Sequence, residues 1–130
     1  MAAAKYAERM TATKVASGTW DGIRSVNFAL DPTDELALHI QGDLEEGVCM
    51  VFSPSEQCAY DAFTELKLTR DALLVRFTAE GKRIFGVPSL RVDFDVTERD
   101  WQKMSRVLGT ICQSKNYYSC VSATLRHAQR

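Results

Sequence analysis

Between Asp31 and Glu65 the chain has no lysine and no arginine, yet nine acids fall there: Asp31, Asp34, Glu35, Asp43, Glu45, Glu46, Glu56, Asp61 and Glu65. Residues 1–30 hold four bases and two acids, and residues 66–130 hold twelve bases and six acids, so a formal charge of −1 over 130 residues hides a strongly uneven distribution. Such asymmetry concerns partners rather than fold, and an acidic stretch favours a basic partner. Long apolar runs are lacking too. Segments such as Val48 to Phe52 and Ala72 to Val75 fall far short of the roughly twenty residues that span a bilayer, so no membrane association is expected. The opening MAAAKYAERM is interrupted by Lys5, Glu8 and Arg9 and has no hydrophobic core of a secretory signal, which makes the cytoplasm the expected compartment.

The four cysteines form no CxxC pair and are too sparse for a disulfide framework. They are expected as reduced, packed thiols, with Cys112 and Cys120 the two buried ones. GxGxxG and GxxxxGK[ST] are absent, and neither His39 nor His127 sits in an HExxH pattern. No enzymatic activity, cofactor or metal is therefore expected.

What is present is the composition of one ordinary globular domain, 45% apolar and 25% charged. At this length roughly two thirds of the unfolded surface can be buried without staples. Strands dominate. Val26, Phe28 and Leu30 alternate with polar neighbours, Leu36, Leu38 and Ile40 do the same, and Gly42-Asp43 supplies a turn signal before a third strand from Val48 to Ser53. FTELKL and ALLVRF predict two strands joined by a tight turn at Thr69 to Asp71, with Leu66, Leu68, Leu73, Val75 and Phe77 on one face and Lys67, Arg70 and Arg76 exposed. The segment TAEGKRIFGVPS, with Gly81, Gly86 and Pro88, reads as a loop before a strand in which Leu90, Val92, Phe94 and Val96 alternate with Arg91, Asp93 and Asp95.

A helix follows. Thr97 can cap its first turn, Glu98 and Asp100 complement the positive end of its dipole, and Trp101, Met104, Leu108 and Ile111 form one stripe, with the end expected near Ser114. The expected class is α+β: a mainly antiparallel sheet of about five to seven strands with a C-terminal helix packed on one face. Residues 21–114 form the domain, residues 1–20 an N-terminal arm that is disordered or a short helix, and residues 115–130 a tail that can add a strand.

The run FTELKLTRDALLVRF, the Gly/Pro break, and LRVDFDVTERDWQKMSRVLGTI after a β-rich acidic half resemble the immunity protein 10 family of bacterial polymorphic toxin systems. The resemblance spans about residues 22–112. It departs from the family pattern at Cys58 to Ala62, where members have a glycine-rich step, and in the tail from Lys115. It implies a small cytoplasmic antidote that binds a cognate toxin domain and occludes its active or substrate-binding surface. The acidic stretch fits a toxin with a basic surface, because carboxylates can occupy a groove built for phosphates. The candidate partner-binding residues are Asp31, Asp34, Glu35, Asp43, Glu45, Glu46, Glu56 and Asp61, the loop acids Asp43, Glu45 and Glu46 first.

Other classes rest on weaker patterns. Asp93 and Asp95 could pair for acid and base work in a small hydrolase, but alternate charges on a half-exposed strand are what a solvated face looks like. Past Asp100 the chain has five bases (Lys103, Arg106, Lys115, Arg126, Arg130), no acid, and Tyr117 and Tyr118 between them, which suits a non-catalytic nucleic-acid-binding module. The acidic half would repel phosphate, so nucleic acid is not the expected partner. A homodimer joining the two poles is the remaining alternative.

Overall fold

Period-two alternation and a few obligate turns build most of this molecule. A computed structural model describes residues 8–30, 36–43, 47–53 and 57–122. The strands are β1 (Glu8–Thr11), β2 (Lys14–Trp20), β3 (Ile23–Ala29), β4 (Ala37–Asp43), β5 (Gly47–Ser53), β6 (Gln57–Tyr60), β7 (Phe63–Leu68), β8 (Ala72–Phe77), β9 (Ser89–Asp93) and β10 (Tyr118–Cys120). Helix α1 (Ala79–Phe85) precedes β9, and α2 (Glu98–Ile111) precedes β10. The fold is α+β, as expected, but its strands form two five-stranded sheets rather than one.

The second sheet, β2-β3-β4-β5-β6, is an antiparallel meander. Asp21 and Gly22, both with positive φ (52° and 80°), make the tight turn between β2 and β3 that lets Trp20 pair directly with Ile23. The first sheet runs β1-β9-β8-β7-β10: an antiparallel β7-β8-β9 core to which β1 and β10 add in parallel. Two short passages join the sheets. Ala12 donates its amide to Asp93 O (2.7 Å) and Thr13 to Ala29 O (2.8 Å), while Asp61 and Ala62 carry the chain from β6 to β7.

One core fills the space between. Val26, Phe28, Leu38, Ile40, Val48 and Met50 of the second sheet are wholly buried with Leu66, Leu68, Leu73, Val75, Leu90 and Val92 of the first. The expected stripe on α2 (Trp101, Met104, Leu108, Ile111) packs into the same core, and the helix lies against β2, β3 and β4. Gly42 permits the approach, since a Cβ there would stand 3.1 Å from Ile111 Cγ1. Thr97 caps α2 by accepting from the Asp100 amide at 3.1 Å. Trp101 Nε1 donates to Thr69 O at 2.8 Å, pinning the helix start to the buried β7–β8 turn.

Several expectations change. Residues 8–20 of the expected arm are β1 and β2; β1 offers sequence reasoning only one apolar residue, Met10, whose partner is Val92. The expected loop over residues 79–85 is helix α1, capped by Thr78 and ended by Gly86 in the left-handed region (φ 81°). Gly81 reads as a breaker, but a Cβ there would meet Ala62 O at 2.7 Å, so it is a packing glycine. Helix α2 ends at Ile111, not near Ser114. Lys67, Arg70 and Arg76 are half-buried rather than exposed, and Arg70 lies over the Trp101 ring (5.8 Å) while bonding Glu98 and Val96 O. The buried cysteines are Cys49 and Cys112; Cys58 and Cys120 are exposed. Burial pushes the Cys112 thiol up to about 12, so it stays protonated at neutral pH.

Candidate partner-binding surfaces

Because successive strand residues face opposite ways, the buried set Val26, Phe28, Leu38, Ile40, Val48 and Met50 fixes which residues the second sheet turns outward. Across β2 to β6 these are Ala16, Gly18 and Trp20, Ile23, Ser25 and Asn27, His39 and Gln41, Cys49 and Val51, and Cys58 and Tyr60. None is charged. Lys14 and Asp43 occur only at the strand ends. Trp20, Ile23 and Tyr60 are 48%, 45% and 44% exposed, large for such side chains, and the Trp20 ring lies back over Gly18, where a Cβ would touch it at 3.4 Å.

The polar groups in the middle of this face satisfy one another. Asn27 Oδ1 accepts from Ser25 Oγ and from His39 Nδ1, both at 2.6 Å, which places the imidazole proton on Nδ1. Burial lowers the His39 pKa from its ordinary 6.5, so the imidazole is neutral at pH 7. Aromatic and apolar groups among neutral amides and hydroxyls suit the desolvated centre of a protein contact. They supply none of the lysine or arginine that neutralises a nucleic-acid backbone.

The outer face of the first sheet has the opposite character. Arg9, Arg91 and Lys67 fall in one cross-strand row around Leu74, with Asp93, Arg76 and Glu65 beside them. These charges largely pair within the chain. Asp93 accepts from Arg9 Nε at 2.6 Å and from Arg91 Nε at 2.8 Å, and Arg76 Nε lies 3.4 Å from Glu65. Asp93 is thus held between two guanidiniums, while Asp95 lies past the end of β9, exposed.

A third cluster forms around Asp61, which sits in the left-handed region (φ 48°) at the corner between β6 and β7. Its carboxylate accepts from Tyr117 Oη (2.5 Å), Lys115 Nζ (3.1 Å) and the Val48 amide (3.3 Å). Burial alone would raise this acid, but those bonds and the Lys115 charge outweigh it and hold the pKa below 3.8. Burial and the facing carboxylate push the Tyr117 phenol up, so it remains a donor. Gly47 makes room, since a Cβ there would fall 2.0 Å from Asp61 Oδ2.

Of the acids expected to bind a partner, Asp31, Asp34, Glu35, Glu45, Glu46 and Glu56 lie outside the described residues. The connections that carry them all join strands of the second sheet. Asp43 ends β4 opposite Gly47, and Asp61 is committed to internal bonds. Trp20, Ile23 and Tyr60 were not among the expected site residues. The tetrapeptide Trp20-Asp21-Gly22-Ile23 held the usable signal, because an Asp-Gly turn sets its two flanking side chains side by side at a hairpin tip.

Among the described residues no three His, Cys, Asp or Glu side chains gather as a metal site requires, and no helix is long and apolar enough to cross a membrane. No protein-family model, curated protein or solved structure matches the chain.

Proposed function

We propose that this chain is an immunity-type binding protein of the cytoplasm, which docks a cognate toxin domain on the outer face of its second sheet and neutralises it by covering its working surface. The observation that carries the reading is the uncharged face with Trp20, Ile23 and Tyr60 half-exposed around a neutral Ser25-Asn27-His39 network. Half-exposed aromatics are the side chains that most often anchor protein interfaces, and desolvating neutral amides costs far less than desolvating charges. The acids in the connections of this sheet add long-range attraction toward a basic toxin, which raises the association rate more than it tightens the final contact. The resemblance over residues 22–112 supports the same assignment.

Co-expression with a basic toxin domain, sought in the neighbouring reading frames, tests this. The chain should restore growth, Trp20→Ala with Ile23→Ala should abolish the rescue while leaving the fold intact by circular dichroism, and reversal of Asp43, Glu45 and Glu46 to lysine should slow association and flatten its salt dependence. Absence of rescue by the unaltered chain, or full rescue by the Trp20/Ile23 variant, overturns the proposal.

A further inference from the structure

The edge of β7 facing β10 is closed by the slightest element of the fold. β10 has three residues against six in β7 and β8, and it pairs in parallel at the edge of the antiparallel β7-β8-β9 core. Two backbone bonds bracket it, Leu66 N to Tyr117 O and Val121 N to Leu68 O, both 2.9 Å. Ser119 and Cys120 are exposed and Val121 is 40% exposed. What holds the segment lies mostly just before it: the Lys115 and Tyr117 bonds to Asp61, and the Tyr117 ring 5.4 Å from that of Phe63. Short, exposed edge elements open at the lowest free energy in a domain. Their departure bares a row of unpaired backbone groups.

We propose that this edge of β7 is a strand-addition site for an extended segment of a partner protein, and that β10 is its removable cover. The chain itself shows what fits. Tyr118 and Cys120 stand in register with the fully buried Leu66 and Leu68, so the incoming segment runs parallel to β7 with a large aromatic at one position and a small apolar residue two further on. Ladder bonding requires a polypeptide, which sets the class of ligand. The Asp61 cluster is the catch, since weakening it frees the cover without touching β7. This surface is separate from the outer face of the second sheet and does not depend on the function assigned to that face.

The probe is a fluorescein-labelled peptide of residues 115–122 with serine in place of Cys120, titrated against the full-length chain and followed by anisotropy. Binding should be weak in the unaltered chain, because only the open fraction competes, and about tenfold tighter in Lys115→Ala, where the cover loses its bond to Asp61 and the peptide keeps its own. Lys67→Cys with Ser119→Cys, in a Cys120→Ser background, joins register partners that lie within disulfide reach. The oxidised staple should abolish binding and reduction should restore it. The proposal is overturned if no variant binds the peptide, if binding survives the oxidised staple, or if hydrogen exchange shows the Leu66 and Val121 amides opening no faster than those of β8.

Discussion

The two sheets of this molecule turn very different surfaces outward. The first shows Arg9, Lys67, Arg76 and Arg91 interleaved with Glu65 and Asp93, and most of these already answer one another within the chain. The second shows no charge between its strand ends and leaves Trp20, Ile23 and Tyr60 half in water. A face whose charges already pair within the chain gains little from a partner. A face of exposed aromatics and neutral amides gains by being covered. The contrast thus ranks the two surfaces as docking sites by what each would gain on desolvation.

The largest effect should come from removing the anchors. Trp20→Ala with Tyr60→Ala is expected to weaken binding of the proposed toxin partner by about 2–4 kcal/mol, on the order of a hundredfold in Kd, whereas Arg9→Ala with Lys67→Ala should change it by less than about threefold. Titration calorimetry of the two variants, side by side, reads the difference directly.

Next in size is the polar frame of the first sheet. Arg91 is 6% exposed and shares Asp93 with the exposed Arg9, so Arg91→Ala should cost about 2–3 kcal/mol in urea unfolding through lost packing and a carboxylate left with one partner. Partner affinity should be unchanged, which separates a structural charge from a binding one.

A smaller, pH-dependent effect belongs to the second sheet. The folded His39 pKa lies below its ordinary 6.5, so in that interval the unfolded chain binds the proton and the folded chain does not. Stability is therefore complete above pH 6.5 and falls as pH drops toward the lowered value. His39→Gln should flatten that slope in urea midpoints measured at pH 7.5 and 5.5. Smallest is Gly109→Ala on α2. No heavy atom lies within 4 Å of an added Cβ, so the helix that backs the second sheet should gain at most about 1 kcal/mol in thermal or urea unfolding.

Residues 63–111 were largely legible in sequence because their signals are local. The alternation in β7, β8 and β9, the Thr97 cap and the Trp101-to-Ile111 stripe each fit within one element. The first twenty residues were not, since β1 is defined by its pairing to β9, more than eighty positions away, and carries little apolar signal of its own. Helix α1 was hidden by Gly81, whose role is close packing against Ala62 rather than a break. The candidate surface was half legible. The missing bases after Asp31 pointed to the strands of the second sheet, but they directed attention to carboxylates. That the outward residues of five strands are neutral except for Lys14 and Asp43 at strand ends appears only once the register is known, and Trp20 and Tyr60, forty positions apart in sequence, share one face only through it.

Hydroxyl-radical footprinting of the complex with the proposed toxin partner, read by mass spectrometry, tests the central claim most directly because it needs no substitution. Trp20 and Tyr60 should oxidise readily in the free chain and be strongly protected in the complex, with Met10 and the other oxidisable side chains of the first sheet unchanged. Equal oxidation of Trp20 and Tyr60 in the free and bound chain, with protection confined to the first sheet or to α2, would contradict the assignment of the uncharged face as the docking surface.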